Sequence, residues 1–392
     1  MFCYNLKEND SKYIANTYKR ANLQVESADG EICWNENNKK FVDFSSGIGV
    51  NSLGFSNDVW TDAVKSQLDK LCHISNLYYT EPQVTLAQKL CVRTAMERVF
   101  FCNSGAEANE CAIKTARKYS SDKYGGERYE IVTLKNSFHG RTIATLSATG
   151  QDVFHKNFGP FVDGFVYAEA NNTDSIQNCV SERTCAIMIE LIQGEGGVIP
   201  LERGFVDCIT KICSERDILL VVDEVQTGVG RTGKFLACDV YGIKPDIITL
   251  AKGLGGGLPI GAALFGEKTK DVLGFGDHGT TFGGNPVVCA GANVVLDTVD
   301  REFLGEVAAK GEYIRTKLMD MAHVVSVSGE GMMLGAQLET DIINTSIIAK
   351  CIENGLVLLS AKEKLRFLPP LNISYDSIDE GLEILEKVLE EQ

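Results

Sequence analysis

The chain is short of positive charge: 38 lysines and arginines against 53 aspartates and glutamates leave a formal net charge of −15. That balance argues against nucleic acid or an anionic membrane as the main partner. Histidine is scarce, and the five residues are dispersed with no metal-binding spacing, so a structural zinc site is not expected. The 13 cysteines are odd in number and include no Cys-x-x-Cys pair. Cys102, Cys111, Cys185 and Cys289 lie inside apolar runs as small hydrophobes, the usage of a reducing, cytoplasmic compartment. No apolar run approaches the roughly 18 residues of a membrane span, and Met1 to Asp10 carries Lys7, Glu8 and Asp10 instead of an apolar leader. Neither membrane insertion nor export is expected. Internal repeats and low-complexity linkers are also missing.

What the chain has is length and alternation. Its 392 residues exceed the roughly 250 to 300 at which a single core stops growing, so two domains are expected. Short apolar runs alternate with segments of helical spacing, which predicts an α/β fold: a large doubly wound domain with a mainly parallel sheet, plus a small α+β domain. The expected division is an N-terminal segment, 1–55, packing with the small domain; a large domain, 56–286; and the small domain, 287–392.

Two of the apolar runs end on charged residues. Ile218 to Val222 stops at Asp223, and Asp246 to Ala251 stops at Lys252, followed by Gly253, Gly255, Gly256, Gly257 and Pro259. In open α/β sheets the ligand crevice lies outside the carboxyl ends of the strands, so both side chains face the expected site. A lysine drawn out of water loses preference for its ammonium form, and the neutral amine is a nucleophile toward carbonyls, the basis of Schiff-base chemistry. An ionised aspartate beside it suits the protonated ring nitrogen of a pyridine cofactor. An ordinary ion pair capping two strand ends would use the same two residues.

Other segments add to this. Asp29-Gly30 signals a two-residue hairpin. Ser45 to Asn51 is a small-residue loop open to close approach by a ligand. Asp58 is placed to cap a helix to Leu71, and Pro82 to start the next. After the strand Arg98 to Cys102, Ser104 and Glu107 fit a capping box, and Gly105 and Ala106 open a helix whose N-terminus could cradle a phosphate. Phe138 and Arg141 follow a further strand and suit a planar ring and a carboxylate. Cys185 to Glu190 is a strand ending in an acid, with the loop Gln193 to Gly197 behind it. Gly228 to Lys234 matches both a dinucleotide fingerprint and a P-loop, but no helix opens at the third glycine and Phe235 stands where a P-loop needs Ser or Thr. It reads as a glycine-rich loop.

Taken together, Phe100 to Asn109, Phe138-His139-Gly140-Arg141-Thr142, Gln193 to Gly197, Asp223 to Gly228, Ala251-Lys252, His278 to Pro286 and Arg366 to Pro370 resemble, in this order and over nearly the whole chain, the class III, fold-type I aminotransferases that use pyridoxal 5'-phosphate. The resemblance implies that Lys252 carries the cofactor covalently and shuttles a proton, with Asp223 on the ring nitrogen. It assigns Gln226 to the ring hydroxyl, Val225 and Phe138 to the two ring faces, and Gly105, Ala106 and Thr281 to the phosphate. Thr281 would come from the neighbouring subunit of a homodimer with a shared site.

The substrates implied are N-acetylornithine as amino donor and 2-oxoglutarate as acceptor, giving glutamate, as in arginine biosynthesis. Arg141, with Thr280 beside it, would grip the remote carboxylate and Arg366 the α-carboxylate of glutamate, while Glu195 would cover Arg366 in the first half-reaction. Gly47 stands where ornithine-specific relatives place a tyrosine, which leaves room for an acyl group; ornithine, succinylornithine and succinyldiaminopimelate are the alternative donors. Phe55 and Leu191 depart from the family pattern, where His and Pro are usual. A non-catalytic cofactor-binding regulator is disfavoured by the lack of a DNA-binding module; aminomutases and decarboxylases of the fold would differ in not requiring 2-oxoglutarate.

Overall fold

The computed structural model describes residues 6–392. The expectation for Met1 to Asp10 therefore lies partly outside the described residues. Among the described residues, no helix is long and apolar enough to cross a membrane, and no cluster of metal-ligating side chains is present.

A seven-stranded sheet organises the molecule, in the order 98–102, 261–265, 247–250, 219–223, 184–189, 130–134, 165–168. The five strands from 247–250 to 165–168 are parallel neighbours, and only 261–265 runs against the rest. The central strands are buried along their whole length and mostly apolar because both faces are covered. In the central strand Leu220 and Val222 enter one core while Leu219 and Val221 enter another. Alternation of side chains across the pleat divides one continuous hydrophobic run between two layers of helices. The helix Gly105–Tyr124 closes one face through Ala108, Cys111, Ala112 and Ala116, small residues that let it lie close to the strands.

A separate core gathers residues from both ends of the chain. Val42 and Phe44 pack with Val307, Leu318, Leu334, Phe367 and Leu385. The strand Lys40–Asp43 pairs in parallel with Leu356–Val357, and a second four-stranded sheet contains Leu359–Ala361 and Lys364–Phe367. The glycine-rich loop 228–234 runs between the two cores and is a loop, as its sequence suggests. Its Arg231, 2% exposed, donates to the carbonyls of Met332 and Pro369 and to Ser46 Oγ, so one guanidinium fastens the strand-and-loop segments of the second core to the first.

Three local expectations shift by a residue. The hairpin turns on Gly30-Glu31, because Asp29 pairs with Ile32 and Gly30 is held by both backbone hydrogen bonds to Phe55. The helix Asp58–Lys70 is capped by Asn57, whose side chain accepts from the Trp60 N–H at 3.1 Å, and Asp58 is already helical. Ser104 does cap the next helix through Glu107 N–H, but the Glu107 carboxylate reaches back to the N–H of Asn103, one residue beyond the usual capping-box partner.

Candidate functional site

Four adjacent strands end at one edge of the large sheet and deliver the chemistry. Lys252 follows 247–250, Asp223 ends 219–223, Glu190 follows 184–189, and the turn Phe138 to Arg141 follows 130–134. Because these strands are parallel, their carboxyl ends open on the same side, and a cavity of about 500 Å³ lies there. Lys252, Asp223, Gly105, Ala106, Phe138, Arg141, Val225 and Gln226 all line it.

Asp223 is held from several sides. Its Oδ2 accepts from Asn109 Nδ2 at 2.7 Å and lies 2.8 Å from His139 Nδ1, while Oδ1 accepts from the Val225 N–H at 3.0 Å. Asn109 is fixed in turn by Thr249 Oγ1 and by the His139 carbonyl. His139, Asn109, Thr249 and Glu190 are the parts of the site that sequence reasoning assigned no role. His139 stands inside a recognised run and Glu190 at a strand end, but only the sheet register shows that they face Asp223.

Lys252 is half-buried and its backbone is left-handed, φ +43°, an uncommon conformation for a residue with a side chain. Loss of hydration lowers its amine to about pKa 8, with Arg366 adding to the effect and Glu195 and Asp223 opposing it. The amine is therefore substantially neutral in mildly alkaline water, as nucleophilic chemistry requires.

On the flank of the cavity Arg366, 4% exposed, donates to Glu195 Oε1 at 2.5 Å and to Gln226 Oε1 at 3.5 Å; its buried Nε has no partner among the described residues. Burial alone would raise the Glu195 carboxyl, and the neighbouring guanidinium overrides this and holds it below its ordinary value. Arg141 lies exposed at the mouth, its guanidinium stacked 3.9 Å from the Phe154 ring centre and 5.5 Å from that of Phe138. Of the two arginines only Arg141 lines the cavity; Arg366 and Glu195 stand behind it and reach it through the lining residue Gln226.

Three features fit pyridoxal 5'-phosphate. The cavity combines a lysine of depressed pKa with a fixed carboxylate, the pair that aldehyde and pyridine nitrogen require. The helix starting at Gly105 opens at this cavity, with Ser104, Gly105 and Ala106 lining it, and a helix N-terminus favours a phosphate. Gly105 has no room for a side chain, since a Cβ there would come within 2.7 Å of Val225 Cγ1. Thr280 and Thr281 are not brought to this cavity by their own chain. Thr280 instead bonds Asn103 and the Gly283 N–H, and Thr281 lines a separate crevice with His73 and Asn76. Gly47 is exposed at φ +62° in a left-handed turn, 46–49, next to the cavity residue Val50.

Comparison with known proteins agrees with this geometry. The family described as aminotransferase class-III matches residues 13–389. The chain is 49% identical over 387 residues to an acetylornithine aminotransferase of Haemophilus ducreyi, covering 98% of each, and 42% identical over 385 residues to a succinylornithine transaminase of Photorhabdus laumondii, covering 96% of each. In three dimensions it is similar to an ornithine aminotransferase of Toxoplasma gondii whose structure was described with partial occupancy of PLP at the active site: TM-score 0.92, 28% identity, 98% of this chain and 93% of that one.

Proposed function

Since the chain belongs to the class-III aminotransferases, enzymes that use pyridoxal 5'-phosphate, we propose that it transfers the terminal amino group of N-acetylornithine to 2-oxoglutarate, giving N-acetylglutamate 5-semialdehyde and glutamate. The observation that carries this reading is one cavity lined by a nucleophilic lysine and the open Arg141, with a second arginine, Arg366, covered by Glu195 and hydrogen-bonded to the lining residue Gln226. Bound pyridoxal 5'-phosphate supplies an electron sink that stores an amino group between two half-reactions.

Lys252 Nζ holds the cofactor and afterwards moves the proton from the substrate's terminal carbon, work suited to an amine that titrates near 8. Asp223, fixed by Asn109 and His139, holds a proton on the ring nitrogen. Phe138 and Val225 orient the ring between them, and Gln226 takes the ring hydroxyl. Gly105 and Ala106 bind the phosphate, and Thr281 of a second copy completes its shell in a homodimer with a shared site.

Arg141, with Thr280 of the second copy, binds the carboxylate remote from the reacting carbon. While Glu195 covers Arg366, the site accepts a donor with one reachable carboxylate; when the pair opens, Arg366 takes the α-carboxylate of glutamate. The unspent Nε of Arg366 supports this second use. An acylated donor is supported by the open space at Gly47, where a Cβ would meet only Asn51 Nδ2 at 3.4 Å and Val50 Cβ at 3.9 Å.

The test is to add N-acetylornithine to the yellow holoenzyme without an oxo acid and follow its visible absorption. Bleaching that 2-oxoglutarate reverses is the expected result. Bleaching by free ornithine alone would leave fold and cofactor intact and overturn the substrate assignment.

A further inference from the structure

Glu190 is buried, 6% exposed, and has no part in the roles above. It stands one step beyond Ile189, which pairs with Val222, so the register sets it beside Asp223 at the sheet edge. Its Oε2 accepts from the Phe138 N–H at 2.9 Å and its Oε1 from the Gly194 N–H at 3.3 Å. Phe138 opens the turn that ends in Arg141. Gly194 precedes Glu195, the partner of Arg366. One carboxyl is therefore tied through main-chain donors to both loops that carry the substrate-gripping charges.

We infer that Glu190 is a positioning residue that keeps the Arg141 loop and the Glu195 loop in register with each other, and that it does so as the carboxylate. This rests on the aminotransferase reading of the site. Each carboxylate oxygen accepts one N–H; protonation removes the charge that strengthens both bonds and makes the protonated oxygen the poorer acceptor, so the bond to that oxygen weakens most. Three charged or titratable groups face Glu190: Asp223 on the neighbouring strand, His139 in the Phe138 turn, and Lys252 across the cavity. Burial raises the carboxyl first, Asp223 adds to the rise, and His139 with the two N–H groups resists it; the net direction is upward, towards neutrality. Release of one loop on acidification displaces its charged side chain, which shows in substrate binding more than in turnover.

The experiment has two arms. In holoenzyme kinetics with N-acetylornithine, the wild-type KM is expected to rise as pH falls below neutral, following one ionisation, and to level off about tenfold higher. Glu190→Gln is expected to bind cofactor stoichiometrically and to show a KM raised about tenfold, the size of one lost charge-assisted hydrogen bond, that stays flat over that range. A variant that keeps the wild-type acidic limb, or that loses kcat at unchanged KM, overturns the inference. In the second arm, amide hydrogen exchange of the wild-type holoenzyme, corrected for intrinsic pH dependence, is expected to show 136–142 and 192–197 losing protection together as pH falls. Independent or pH-insensitive exchange of the two loops overturns it as well, and this arm needs neither a folded variant nor the correct substrate. Absence of amino transfer from N-acetylornithine, with the coupled exchange intact, would instead overturn the function proposed above.

Discussion

Lys252 combines two costs at one position, a left-handed backbone and a partly dehydrated amine. The second has a defined pH signature. The amine is lowered from its ordinary 10.5 to about 8, so between those values the unfolded chain keeps a proton that the folded protein has released. The unfolded state binds more protons there, and stability of the cofactor-free protein rises with pH across the window. Lys252→Met removes the penalty. Its stability advantage over wild type, read from urea melts without cofactor, is expected to be full below pH 8 and to vanish by about pH 10.5, where both states carry the neutral amine. An equal advantage at pH 7 and pH 10 would show that the amine is not dehydrated. His139 and Asn109 act through another residue: they leave Asp223 with one fixed orientation, which is what a carboxylate facing a ring nitrogen needs.

At the scale of elements, the site depends on strand ends that share a direction and on one helix start. The helix Gly105–Tyr124 can approach Val225 because its first residue has no side chain. A Cβ at 105 would press on both methyls of Val225, at 2.7 and 3.0 Å. Overpacking of this kind costs about 1–3 kcal/mol, so Gly105→Ala is expected to weaken cofactor binding about tenfold in fluorescence titration. Adding Val225→Ala clears the obstruction and is expected to restore part of the affinity. A single variant with unchanged affinity would show that the helix start can move freely. The left-handed turn 46–49 is pinned in the same manner: Ser46 Oγ donates to the Leu368 carbonyl at 2.6 Å and accepts from Arg231.

At the scale of the molecule, residues far apart in sequence complete one site, and the proposed dimer extends this to two chains. Thr281 sits outside its own chain's cavity, near exposed Leu77, Tyr79 and Phe282, which are 85%, 99% and 61% accessible. Exposed apolar side chains gathered around an otherwise idle threonine suit burial against a second copy. Complementation reads this out. Lys252→Ala and Thr281→Glu are each expected to be inactive alone, whereas a mixed dimer contains one site with both native residues. Co-expression is therefore expected to recover activity in proportion to the mixed dimer isolated by orthogonal tags; no recovery would place Thr281 in a site served by its own chain.

Strand-length apolar runs, their terminal Asp223 and Lys252, and the glycine and arginine runs were legible along the chain, because each depends on local patterning: continuous apolar runs of strand length, helix capping, and residues that break regular structure. The family and its pyridine chemistry follow from those runs. The fixing of Asp223 by His139 and Asn109, the two-loop attachment of Glu190 and the guanidinium of Arg231 between two cores depend on which strands become neighbours. Strand order is decided by long-range packing, and no local pattern encodes it. Even the small shifts, Asn57 for Asp58 and Gly30-Glu31 for Asp29-Gly30, were decided by contacts from elsewhere or by backbone geometry at a helix start. The sequence by itself determined which groups the site contains; the tertiary structure decided which of them face one another, since hydrogen bonds and charge coupling act over a few ångströms that only the folded chain sets.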